Sequence, residues 1–153
     1  MSNIAQTVNV LQSLILTDGE KMILTPTYHV FEMYKVHHDA TMLPVHLNCG
    51  NYALDGRDVP ALSASASKDK NGKINITIVN VDPGKETEVL IDLRGGEYDT
   101  VSGRVLTGSA VNAHNTFDKS DTVKPEPLKG ARIKDNILSL SVPPASVTVV
   151  TAE

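Results

Sequence analysis

Tryptophan is absent from this chain, and aromatic residues of any kind are scarce, with four tyrosines and two phenylalanines among 153 residues. Proteins that grip sugars or bases by stacking expose aromatic faces, so this composition counts against an independent stacking platform. There is one cysteine, Cys49, which excludes an intrachain disulfide and frees the fold from any need of an oxidising compartment. No apolar run approaches the roughly 18–20 residues that a membrane-spanning helix requires. Positive charge is also short: 14 Lys and Arg stand against 18 Asp and Glu, for a formal net charge of −4. The basic residues are scattered singly among acids, which argues against nucleic-acid or anionic-membrane partners. The first residues lack the charged and apolar regions of a secretory signal.

What is present is ordinary for a globular domain. Hydrophobic residues make up 41% and charged residues 21%, so disorder is not expected. A chain of this length buries about 68–70% of its unfolded surface, enough for one hydrophobic core.

Most of that core is written in period two, the signature of a strand with one apolar face. Leu62, Ala64 and Ala66 alternate with serines. Ile74, Ile76 and Ile78 alternate with Asn75, Thr77 and Val79. Val89, Ile91 and Leu93 form a third run, Leu138, Leu140 and Val142 a fourth, and Val147 and Val149 a fifth. Turn residues divide these runs: Asp18-Gly19, Asp69-Lys70-Asn71-Gly72, Asp82-Pro83-Gly84 and Pro143-Pro144. Asn71-Gly72 supplies the positive φ of a tight hairpin. Ser102-Gly103-Arg104 reads as a further tight turn. Many short strands with regular turns predict an antiparallel sandwich or barrel.

Two segments break the pattern. Residues 3–12 carry Ile4, Val8 and Leu11 at helical spacing, without a preceding turn residue, and read as the tail of a longer helix. Residues 26–37 place Val30, Phe31, Met33 and Tyr34 on adjacent helical turns behind Pro26, which suits a first turn; a short helix is predicted, ending at His37-His38-Asp39, although the β-branched and aromatic residues there also permit a strand.

No constellation of catalytic or metal-binding residues stands out. The five histidines (His29, His37, His38, His46 and His114) include no pair spaced i, i+4, and Cys49 has no cysteine partner, so no metal is expected. Asp69 to Lys73 begins like a calcium loop but puts a cation at the fifth position and glycine at the fourth. Asn75-Ile76-Thr77 matches a glycosylation acceptor inside a predicted strand. Gly-x-Ser-x-Gly and phosphate-cradling glycine loops are absent, and nothing in spacing selects an acid/base pair from the 18 carboxylates.

Three stretches resemble a known family. The segment 3–12, with Ala5-Gln6-Thr7-Val8-Asn9-Val10, is similar to the Ala-Gln-x-Val-Asn-Val segment near the end of the catalytic barrel of family 51 α-L-arabinofuranosidases. Residues 24–35 resemble the passage from barrel to sandwich in those enzymes. Ser102 to Gly108, Asn112 to Phe117 and Val123-Lys124-Pro125 follow in the family's order, and Pro143 to Val149 resembles its last strands.

The resemblance implies an all-β antiparallel sandwich of Greek-key or jelly-roll type, spanning 13–153, with a helical remnant of the last barrel helix at 1–12 and one short helix. It implies a parent enzyme that removes terminal α-L-arabinofuranosyl groups from arabinan, arabinoxylan and related oligosaccharides with retention. That chemistry needs an acid/base Glu and a nucleophile Glu about 5–5.5 Å apart, both on barrel strands upstream of this sequence. The chain is therefore expected to be inactive alone, to support the barrel, and to need no cofactor. Homo-oligomers are common in the family. Gln6 matches a position whose amide reaches the arabinose in the full-length enzyme. Separation from the barrel is expected to bare an apolar patch of Ile4, Val8 and Leu11 with some of Val30, Phe31 and Tyr34. The family covers more than one compartment, so none is assigned. A free-standing carbohydrate-binding module and a small hydrolase are the rival readings.

Overall fold

A computed structural model describes residue 4, residues 6–11 and residues 13–153. In chain order the strands are β1 (Ile15–Asp18), β2 (Lys21–Leu24), β3 (Thr41–Leu43), β4 (Asn51–Leu54), β5 (Arg57–Pro60), β6 (Leu62–Lys68), β7 (Ile74–Asn80), β8 (Thr87–Asp92), β9 (Val101–Leu106), β10 (Glu126–Pro127), β11 (Arg132–Lys134), β12 (Ile137–Val142) and β13 (Ser146–Ala152). One α-helix, α1 (Pro26–Met33), runs into a 3-10 turn at Tyr34–His37.

Six strands form the main sheet in the order β10-β9-β13-β7-β6-β3, and three form a second sheet in the order β11-β12-β8. Every ladder in them is antiparallel. The chain crosses between the two sheets after β7, β8, β10 and β12, so the C-terminal strand β13 ends between β9 and β7. This is the Greek-key type of wiring expected for a sandwich. Two further hairpins, β1–β2 and β4–β5, stand outside the sheets.

The inner core lies between the sheets. Ile74, Ile76 and Ile78 of β7, Leu62 of β6 and Val150 and Ala152 of β13 meet Leu138, Leu140 and Val142 of β12, all buried. In β6, β7 and β12 their spacing is the predicted alternation; in β13 the predicted row, Val147 and Val149, faces the other way, and Val150 and Ala152 fill the inner core. Asn80, 1% exposed, fastens the layers at one end: its Nδ2 donates to the carbonyls of Lys85 (2.8 Å) and Pro143 (2.9 Å), and its Oδ1 accepts from Asp82 N at 3.1 Å.

Four expectations need correction. Residues 4 and 6–11 are not helical. Asn9 adopts a φ of 53°, which ends any helical path there. The segment is instead tied alongside β1: Leu14 and Ile15 N donate to the Thr7 carbonyl, both at 3.0 Å, and Val8 forms an isolated parallel bridge with Ile15. Asn3, Ala5 and Gln12, which complete the predicted helix, lie outside the described residues.

Ser102-Gly103-Arg104 is not a turn but the middle of β9. Glycine is needed there because a Cβ at 103 would sit 2.6 Å from the Val149 carbonyl of the neighbouring strand. Asn71-Gly72 belongs to a five-residue loop rather than a two-residue turn. Only Gly72 has positive φ, and Asp69 Oδ1 organises the loop by accepting from Asn71 N (2.8 Å) and Lys73 N (3.0 Å). Finally, the strand rows assigned to solvent are not all wet. Asn75 and Thr77 are 4% and 1% exposed, because the main sheet is covered on both faces.

The helix predicted over 26–37 is present as α1 and its 3-10 continuation. Thr25 caps it, accepting from Tyr28 N at 3.3 Å, and its own hydroxyl donates to the Ser13 carbonyl at 2.8 Å.

Candidate functional site: the helix-covered face

The second face of the main sheet is where this chain departs from a plain sandwich. Met33, fully buried, sits over Val149 of β13 and Leu106 of β9, with Val123 from the loop after β9 completing the cluster; Val30 and Val36 pack against it. This apolar contact fixes α1 on the sheet. Around it the contacts are polar. Arg104 of β9 donates to Glu32 of α1 at 2.9 Å. Asn75 Nδ2 donates to the Val36 carbonyl at 3.3 Å while Asn75 Oδ1 accepts from the Thr151 hydroxyl at 2.8 Å. The imidazole of His37 lies between Ser67 Oγ and Thr77 Oγ1, at 2.7 Å from each.

The loop 107–125 closes one side of this layer. Buried Asn115 holds it, donating to the carbonyls of Leu24 (2.8 Å) and Val123 (2.9 Å) and accepting from Val123 N at 2.7 Å. Between that loop, the start of α1 and the start of β13 runs an open groove of about 250 Å³, lined by small and aliphatic side chains including Pro26, Leu106, Val111 and Val147.

Electrostatics concentrate on the outer surface of α1. His29 has its pKa lowered by burial, opposed by the carboxylates of Glu32 and Asp121, with Arg104 adding to the lowering. Burial alone lowers the pKa of His37.

The predicted site residue, Gln6, is exposed in the extended segment ahead of β1. Its motif neighbour Asn9 does structural work: Nδ2 donates to Thr17 Oγ1 at 2.8 Å and Oδ1 accepts from Thr17 N at 2.7 Å, clamping the segment to β1. Of the apolar residues expected at this end, Val8 and Leu11 are exposed, Leu11 at 95%. Ile4, Val30, Phe31 and Tyr34 are half-buried.

The other candidates stay apart. His38, His46 and His114 are exposed at separate places, and among the described residues no three His, Cys, Asp or Glu side chains converge as a metal site. Asn75, the glycosylation-like asparagine, is buried in mid-strand with its amide bonded on both sides. Cys49 is half-buried and packs against the inner core. All six aromatic residues are buried or half-buried; Tyr28 and Tyr34 are engaged edge-on by His29 and His37. No helix among the described residues is long and apolar enough to cross a membrane.

Fold and site together define a β-sandwich of two sheets with one helix layered on the outside, held there by polar side chains around a small apolar centre. The family model for the α-L-arabinofuranosidase C-terminal domain matches residues 1–146, and the chain belongs to that family. It is 45% identical over 151 residues to an intracellular exo-α-L-arabinofuranosidase of Bacteroides ovatus, covering 98% of this chain and 29% of that protein. The crystal structure of a family 51 arabinofuranosidase from Xanthomonas axonopodis pv. citri superimposes on the whole chain with a TM-score of 0.96 at 40% identity, over 31% of its own length. A thermostable family 51 enzyme from Thermotoga petrophila superimposes with a TM-score of 0.80 at 26% identity, over 97% of this chain and 33% of its own. The chain thus spans less than a third of Bacteroides relative and Xanthomonas structure alike, and it corresponds to the C-terminal domain of those proteins.

Proposed function

We propose that this domain serves as the rigid support on which the barrel of a retaining α-L-arabinofuranosidase is seated, the whole enzyme releasing terminal α-L-arabinofuranosyl groups from arabinan or arabinoxylan. The observation that carries this reading is the superposition of the entire chain on under a third of a family 51 enzyme. The surface that meets the barrel is the end formed by residues 4 and 6–11, the β1–β2 hairpin and the outer side of α1. Exposed Val8, Leu11 and Met22 support that choice, since apolar side chains gathered at one end of a domain are usually covered by a partner. Gln6 lies in the same segment, and in the full-length enzyme its amide reaches the sugar. Assembly of whole enzymes into homo-oligomers is part of the same proposal.

The chemistry stays with the barrel, because a lone exposed amide cannot position a sugar. Repurified chain incubated with a nitrophenyl α-L-arabinofuranoside is expected to release no nitrophenol above buffer. In the full-length enzyme, Gln6→Ala is expected to lower kcat/KM by about tenfold or more, the value of one hydrogen bond. Turnover by the isolated chain, or an unchanged kcat/KM in the variant, would count against the respective half of the reading.

A further inference from the structure

His37 is held on both ring nitrogens, with Nδ1 2.7 Å from Ser67 Oγ of β6 and Nε2 2.7 Å from Thr77 Oγ1 of β7. Both hydroxyls are buried. Val36 is the one aliphatic residue of the Tyr34–His37 turn that joins the apolar cluster below. Hydrogen bonds therefore carry much of the turn's attachment to the sheet: the two at His37 and the donation from Asn75 to the Val36 carbonyl.

A neutral imidazole offers one donor and one acceptor. The Thr77 hydroxyl faces the Ser65 carbonyl, 3.5 Å away, to which it donates. Thr77 Oγ1 thus accepts from Nε2–H, and Ser67 donates to bare Nδ1. A second ring proton, on Nδ1, would force the Ser67 hydroxyl to turn and accept, giving up its donation to the ring, and among the described residues Ser67 Oγ has no other hydrogen-bond partner to take its hydrogen.

Among the described residues no carboxylate is at hand to receive the cation. Glu32 of α1 is bound to Arg104 of β9, and Glu153 after β13 is bound to Lys73 before β7. Lys68 lies on the opposite face of β6 from Ser67. Lys35, His38 and Asp39, the charged or titratable neighbours along the chain, are exposed, and β3 contributes only Thr41 and Met42 beside Ser67.

We propose that His37 is a proton-operated latch, which in its neutral form fastens the Tyr34–His37 turn and the end of α1 to the main sheet, and which mild acid unfastens. Burial lowers the folded pKa beneath the ordinary 6.5, so the released imidazole binds the proton more tightly than the latched one. The latch is fully closed above about 6.5 and loosens as the pH falls from there toward the folded value. It lies wholly within this chain, so its test is separate from that of barrel docking.

The reporter is the His38 amide, which donates to the Lys35 carbonyl at 3.0 Å when the turn is closed. Hydrogen exchange, corrected for its intrinsic pH dependence, is measured from pH 8 to 4.5 alongside an NMR titration of the His37 ring. Opening at His38 is expected to rise about tenfold for each pH unit below 6.5, until His37 itself titrates, while the amides of β12 stay protected. His37→Gln keeps one donor and one acceptor without charge and should abolish the dependence, whereas His38→Gln should preserve it. His38 protection that stays constant through the titration of His37 overturns the proposal, as does acid opening that survives His37→Gln. Ser67→Ala removes the hydroxyl that donates to neutral Nδ1 and is expected to move the His37 midpoint upward. That variant decides the matter should His37→Gln not fold, and an unmoved midpoint then overturns the latch.

Discussion

On its inner face the six-stranded sheet meets another sheet; on its outer face it meets one short helix and a turn. The inner contact is a continuous aliphatic layer of Ile74, Ile76 and Ile78 against Leu138, Leu140 and Val142, where each buried side chain contributes about 1.5–3 kcal/mol. The outer contact has a small apolar centre at Met33 and a polar surround of Asn75, Thr77, His37 and the Arg104–Glu32 pair. Hydrophobic burial is strong but indifferent to direction, whereas hydrogen bonds are weak in net stability and strict in geometry. The inner face holds the fold together, and the outer face sets where α1 sits. The docking of a barrel on α1 proposed above would need the second property as much as the first.

Truncation in the inner layer gives the largest expected effect. Leu140→Ala should cost about 2–5 kcal/mol in chemical denaturation, from lost transfer energy plus a cavity. A loss under about 1 kcal/mol would mean that the two sheets are not closely packed there.

The same substitution on opposite faces then separates the two mechanisms. Thr77→Val on the outer face removes the acceptor for His37 Nε2 and should cost about 1–3 kcal/mol, because a buried ring N–H is left unpaired. Thr148→Val on the inner face should be neutral or stabilising by up to about 1 kcal/mol, since Thr148 is fully buried and its hydroxyl finds no protein partner. Equal signs for the two variants in parallel urea titrations would erase the distinction between the faces.

Arg104→Ala is expected to have the smallest effect, at most about 1 kcal/mol. Arg104 is 43% exposed beside Glu32, so water and salt screen the pair. Its contribution should shrink further in 1 M salt. A larger, salt-independent loss would place Arg104 among the groups that hold α1 by packing rather than by charge.

Most of the inner core was legible in the sequence because β6, β7 and β12 alternate apolar with polar residues, and Ile74-Ile76-Ile78 and Leu138-Leu140-Val142 point where the period says; in β13 the readable row, Val147 and Val149, belongs to the outer face, and Val150 and Ala152 were missed. The helix at 26–37 was legible from Pro26 and its apolar spacing. The polar row of β7 was not. Alternation marks Asn75 and Thr77 as outward, and outward normally means wet; only the docking of a segment some 40 residues earlier makes that face dry. The helix expected over 3–12 fails at residues 4 and 6–11 for a related reason. Ile4, Val8 and Leu11 fit a helical period, but their course is set by Asn9 binding Thr17, a contact between side chains that periodicity does not encode. The Asp55-Gly56 and Asp135-Asn136 pairs, both with positive φ and both closing hairpins, carried a readable turn signal that the longer strand runs overshadowed.

By itself, then, the sequence determined the class of fold, the strands that line the inner core, the family to which the chain is related and the absence of a catalytic constellation from its motifs. Those are properties of local pattern and of residue type, and both survive without coordinates. The tertiary structure decided which second face is buried, what satisfies its polar atoms, and that His37 is gripped at both nitrogens by hydroxyls 30 and 40 residues away. Burial and hydrogen-bond pairing belong to the relation between distant segments, and that relation exists only once the layers have come together.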